Sequence, residues 1–197
     1  MDAENALRGI LRRWKSLAIR HIEEGRDFDM HRHPQRDAGC RSAAEAFLEG
    51  FVRTHRHALV VFDHHGCGWE DREPQEVEDD LQHRLARAGW DDRCAAIVIA
   101  PELEAWVWSD SPNVESELGW SGRQPTLREW LASESLLAAN AAKPADPKAV
   151  MERAMRHARK PISPHVFVRI AETAGLNRCE DRAFLKLKTV VRRWYAH

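Results

Sequence analysis

Two uninterrupted apolar runs constrain this chain more than any other feature: "HALVVFD", ending at Asp63, and "CAAIVIA", ending at Ala100. Each is short, rich in aliphatic residues and free of apolar–polar alternation. That pattern fits strands buried on both faces, as in a parallel sheet. Between them, Pro74 is placed to open a helix and Gly89 to end it, with Val77, Leu81, Leu85 and Ala88 on one side. Strand, helix and strand in that order predict an α/β unit with a right-handed crossover.

Helices are expected on either side. "DAGCRSAAEAFLEGFVRTH" places Ala44, Phe47, Leu48 and Phe51 at helical spacing, and "PELEAWVW" starts another helix from Pro101. Nearer the N-terminus, Ala6, Leu7, Ile10, Leu11 and Trp14 form a helical stripe, and "DFDMHRHP" reads as a short extended segment. Beyond about residue 110, Pro112, Gly119, Gly122 and Pro125 punctuate short helical pieces. Asp146–Pro147 opens a helix reaching about Lys160, and Ser163–Pro164 opens one that Gly175 stops. The last helix sets Phe184, Leu187, Val191 and Trp194 on one face. The expected organisation is an α/β core over residues 1–110 and a helical extension over 111–197, packed as one compact unit.

The net charge of −1 hides a polarity. Residues 63–117 hold 15 acids and 4 Lys/Arg, whereas residues 143–197 hold 13 Lys/Arg and 5 acids. Such a division suits an acidic metal site beside a basic nucleic-acid surface, and equally two halves that complement each other within the fold. The four cysteines form no CxxC pair, no signal peptide is recognisable, and no apolar run approaches the roughly 18 residues of a membrane span. The expectation is a reduced, cytoplasmic protein without a membrane segment. Eight tryptophans are expected to fill the core or an interface. The absence of a Walker loop, a GxSxG elbow and a Rossmann glycine fingerprint argues against P-loop hydrolysis and serine-hydrolase chemistry.

Ligands of open α/β sheets bind at the carboxyl ends of the strands. There the sequence places Asp63 after the first strand, and Glu102 and Glu104 after the second. Three carboxylates on neighbouring strands would suit Mg²⁺ or Mn²⁺ and phosphodiester chemistry. Residues two apart on an α-helix point about 200° apart, so Glu102 and Glu104 share a site only if Glu102 precedes the regular helix. Otherwise one of them is a first-turn acid favoured by the helix dipole. Gly66 and Gly68 let a ligand approach the loop after Asp63, and His65 is a candidate ligand, phosphate contact or proton carrier.

Other candidates are weaker. His31, His33 and Cys40 are zinc-type ligands without a recognised finger spacing. Arg36 suits a phosphate or an ion pair with Asp37. Lys143 and Lys148 flank a helix start, and Lys186, Lys188, Arg192 and Arg193 share the terminal helix; either set meets phosphate or is simply solvated.

The strand ending in Asp63, the glycine turn, the amphipathic helix and the strand leading to "PELEAWVWSD" resemble a family of small bacterial TOPRIM-like proteins. "HRHPQRDAGC", "LGW", "KPADPK" and "RCEDRAFLKLK" extend the resemblance over nearly the whole chain. Members are often encoded in phage-defence and DNA-modification loci, and the likeness is strongest to methylation-associated defence components. The resemblance implies a small, largely parallel TOPRIM-like (Rossmann-like) sheet and a Mg²⁺- or Mn²⁺-dependent nuclease or nuclease-like subunit. Its partners would be other defence subunits and DNA or RNA, with homo-oligomers also in view. Asp63 matches the first Asp of the family's DxD motif, but His65 stands at the second, and Glu4 is the one candidate for its early glutamate. Glu102 and Glu104 would then compensate, as later acids do in overcoming-lysogenization-type TOPRIM nucleases. The competing expectation is a non-catalytic scaffold subunit or a nucleic-acid sensor of a defence complex.

Overall fold

A computed structural model describes residues 3–108, 112–138, 141, 143–162, 166, 169–170, 179 and 181–196. It is a mixed α/β structure, about half helical, with a two-stranded parallel sheet. β1 spans Ala58–Asp63 and β2 spans Cys94–Ile99, in register from Ala58 opposite Cys94 to Asp63 opposite Ile99. The described helices are α1 (Ala3–Leu11), α2 (Trp14–Leu17), α3 (Arg36–Leu48), α4 (Pro74–Leu85), α5 (Pro112–Glu117), α6 (Leu127–Ser133), α7 (Pro147–His157) and α8 (Arg182–Trp194). No helix among the described residues is long and apolar enough to cross a membrane. The chain divides into two compact units, one of Glu23–Glu102 with Arg182–His197, the other of Met1–Ile22 with Leu103–Asp181.

The first unit holds the sheet. α3 packs on β1, and α4 and α8 pack on β2. Val60, Phe62, Val77, Leu81, Leu85, Trp90, Ala96 and Val98 form its core. β2 is buried from Ala95 to Ile99, as expected, but β1 alternates buried and half-buried residues. Its apolar run therefore reflects one well-covered face rather than two.

The outer edge of β2 is closed by side chains. Glu78 Oε1 accepts from the Val98 N–H (2.8 Å), and Gln82 Oε1 accepts from the Ala96 N–H (3.2 Å). Four residues of helix rise about 6 Å and two residues of strand about 6.6 Å, so one face of α4 keeps step with the donors of β2. Arg182 at the start of α8 donates to the Val98 carbonyl (3.2 Å) and forks onto the fully buried Glu78 carboxylate (2.7 and 3.1 Å). Lys186 adds a second cation to Glu78 (2.8 Å). Edge groups that a third strand would have paired are thus satisfied without one.

In the second unit Val114, Leu118, Trp120, Leu127, Trp130, Leu131, Met151 and Met155 form the core. α6 begins with a reciprocal capping box of Thr126 and Glu129, and Asp146 caps α7 through the Ala149 N–H (2.9 Å). α7 ends at His157, short of the expected Lys160, and the helix expected over 163–175 lies largely outside the described residues. Two further expectations are corrected. "DFDMHRHP" forms no strand, only an isolated bridge of Glu24 with Phe28 nearby. The helix expected from Pro101 is a 3-10 turn over Leu103–Val107. A five-residue segment offers too few hydrogen bonds to recover α-helix nucleation, and burial of Leu103, Ala105 and Trp106 fixes it instead.

Candidate metal centre at the carboxyl end of the sheet

The parallel ladder continues past the strands. The His64 N–H donates to the Ile99 carbonyl (2.8 Å) and the His65 N–H to the Pro101 carbonyl (2.9 Å). These bonds hold the loop after β1 against the turn after β2, where the Ala100–Pro101 peptide is cis. Asp63 is further fixed from α3, whose Asp37 Oδ1 accepts its N–H (3.2 Å).

Glu102 lies in the turn ahead of the 3-10 segment and Glu104 is the second residue of that segment. This is the arrangement in which the two side chains are free to share a site. One carboxylate oxygen each from Asp63, Glu102 and Glu104 falls within 4.8 Å of the others. Glu104 is buried, while Asp63 and Glu102 are half-buried. Three carboxylates at this spacing form a hard oxygen-donor set suited to Mg²⁺ or Mn²⁺. Among the described residues it is the one group of three or more metal-type ligands that converges.

The glycine loop is used differently from its sequence reading. Gly66 (φ +90°) and Gly68 (φ +83°) turn their N–H groups onto Oε1 of Glu70 (2.8 and 3.1 Å). The chain's own acid thus occupies the anion cradle, and these backbone donors hold its carboxyl below the ordinary range. Beside it, Arg41 and Arg72 lie over the Trp69 ring (4.6 and 4.0 Å).

The remaining candidates are dispersed. His65 is exposed, and its ring is not part of the carboxylate group. Arg36 is exposed at the first position of α3, next to Asp37. Lys186 is engaged with Glu78, Lys143 pairs with Asp181 (2.5 Å), and Lys148 is exposed in the first turn of α7. Glu4 pairs with Arg8 within α1 (2.6 Å) and takes no part in the carboxylate group. His31, His33 and Cys40 do not converge as a ligand set. Burial, then the nearby Asp37, pushes the Cys40 thiol up to about 11, against the thiolate that zinc requires.

Sequence reasoning missed Glu70 as the internal anion and Glu78 as the closure of the β2 edge. Only the first left a local signal, an acid two residues after a G-x-G turn. Comparison with family models, with curated proteins and with solved structures finds no match.

Proposed function

We propose that this protein is a divalent-metal-dependent nuclease or nuclease-like subunit acting on nucleic-acid phosphodiesters, on a TOPRIM-like sheet, within a bacterial phage-defence assembly. The observation that carries the reading is the convergence of Asp63, Glu102 and Glu104 at the carboxyl end of two parallel strands. A bound Mg²⁺ or Mn²⁺ would polarise a phosphoryl oxygen and lower the pKa of an attacking water. The chain supplies rigidity: Asp63 is held by the ladder and by Asp37, and Glu104 is buried. Exposed His65, anchored through its backbone, offers a phosphate contact. Arg36, at the same end of α3 as Asp37, offers a phosphate contact.

The test is cleavage of single- and double-stranded DNA and RNA with Mn²⁺, by wild type, Asp63→Asn and Glu104→Gln. Wild-type cleavage that falls at least about 100-fold in both variants supports the reading. Wild-type protein that is folded, binds Mn²⁺ and cuts nothing overturns the enzyme. A second reading, a sensor or scaffold subunit, is favoured by one observation: Glu70 fills the glycine cradle that a substrate phosphate would need. Metal-dependent nucleic-acid binding without cleavage would select the sensor.

A further inference from the structure

The loop after β1 turns its backbone into a set of donors that the chain fills with one of its own acids. Gly66 (φ +90°) and Gly68 (φ +83°) both lie in the left-handed region, and their N–H groups meet at Oε1 of Glu70 (2.8 and 3.1 Å). Backbone N–H groups turned onto one point form an anion-binding concavity. Other bonds hold its frame. The Cys67 N–H donates to the His64 carbonyl (3.2 Å), and Arg41 Nε donates to the carbonyl of buried Cys67 (2.6 Å). His64 Nε2 meets the Arg72 carbonyl (2.9 Å), and the Arg72 N–H donates to the Trp69 carbonyl (3.1 Å). None of these bonds uses the Glu70 side chain, so the frame does not depend on it.

Glu70 satisfies the backbone donors but not the cations beside them. Arg41 and Arg72 lie over the Trp69 ring at 4.6 and 4.0 Å. Arg41 also flanks the glycines: a Cβ on Gly68 would lie 3.7 Å from Arg41 Nη2. Yet among the described residues neither guanidinium forms an ion pair, with Glu70 or with any other acid. A carboxylate has two oxygens, and here one of them takes both glycine N–H groups. A phosphoryl group has more, so one oxygen can take the glycine donors while another meets a guanidinium. The backbone donors, Gly68 first, keep the exposed Glu70 carboxyl below the ordinary range. It is therefore ionised at neutral pH and leaves by competition, not by protonation.

We propose that the Gly66 and Gly68 N–H groups, with Arg41 and Arg72, form a site for a phosphoryl oxyanion, and that Glu70 is its displaceable internal occupant. Binding exchanges one anion for another and adds the guanidinium contacts that Glu70 leaves unmade. The apparent affinity of wild type is set by the fraction of molecules in which Glu70 has left the cradle. A nucleotide's terminal phosphate and a strand's internal phosphodiester share this chemistry. The inference does not rest on metal-dependent cleavage at Asp63. If both hold, the loop directly after Asp63 seats a substrate phosphate, and Glu70 restrains the enzyme until substrate displaces it.

The test is ¹H–¹⁵N NMR of the Gly66 and Gly68 amides in the full chain, without divalent metal and at constant ionic strength set with chloride. The probes are inorganic phosphate, nucleoside 5′-monophosphates and an oligothymidylate lacking terminal phosphates. Both amides are expected to shift and saturate with at least one probe in Glu70→Ala, with affinity about tenfold above wild type. Glu70→Gln is expected to move the same way by less. Adding Arg72→Gln to Glu70→Ala is expected to lose about fivefold. Saturation by monophosphates alone identifies a terminal phosphate, and saturation by oligothymidylate identifies a strand phosphodiester; both support the proposal. Asp63→Asn should keep the phosphate response of wild type, so this site and the nuclease reading fail separately. Equal affinity in wild type and a folded Glu70→Ala overturns the proposal. So does the absence of a saturable shift with every probe, or undiminished affinity on adding Arg72→Gln.

Discussion

β2 is flanked by acids at two places, one on its outer edge and three at its carboxyl end. On its outer edge, Glu78 is fully buried and surrounded by donors: Arg182, Lys186 and the Val98 N–H. At its carboxyl end, Asp63, Glu102 and Glu104 are brought against one another. The first acid completes the fold, because its charge is offset by cations from α8 and its oxygens by the sheet edge. The second group concentrates like charge, which a divalent cation relieves. An acid tied to a sheet edge reads as structure, whereas carboxylates that converge at strand ends read as a candidate site.

The strongest way to break this comparison is to remove Glu78. Glu78→Ala leaves Arg182, Lys186 and the Val98 N–H without their acceptor and is expected to cost about 3–5 kcal/mol, measured as the loss of unfolding free energy in urea. A cost below about 1 kcal/mol would mean that the edge network contributes little. Asp63→Asn sharpens the contrast from the other side. It removes one of three crowded charges with little change of shape, so without metal its stability is expected to stay within about 1 kcal/mol of wild type. A loss as large as that of Glu78→Ala would place Asp63 among the structural acids.

Two smaller effects serve as references. Thr126→Ala removes the hydroxyl acceptor of the α6 capping box and is expected to cost about 1 kcal/mol, checked by the same urea titration. His57, stacked on Trp194 at 4.5 Å, has its pKa lowered by burial and then by the nearby arginines. A lowered folded-state pKa means that the unfolded chain takes up the proton first. This contribution is therefore present above the unfolded value of 6.5 and is lost as pH falls through the depressed one. His57→Phe is expected to flatten the melting-temperature decline between pH 7 and 5, which an unchanged slope would contradict.

Much of the fold was legible because its signals are local. The apolar runs gave both strands, Pro74 opened α4, and the period of Phe184, Leu187 and Val191 gave α8. The candidate carboxylates were legible for the same reason, since strand ends are visible in sequence. Their convergence was not, because it depends on the His64 and His65 bonds to the turn after β2 and on Glu102 preceding the 3-10 segment. Glu78 looked like one acid of many on α4, and only the pairing of Arg182 and Lys186 with it, more than 100 residues away, reveals its part.

The central claim is that Asp63, Glu102 and Glu104 hold a divalent cation, and calorimetric titration of Mn²⁺ into wild type and Asp63→Asn tests it most directly. The account predicts one saturable site in wild type whose affinity falls at least about tenfold in a folded Asp63→Asn protein. Equal binding by the two proteins, or none by wild type, would contradict it.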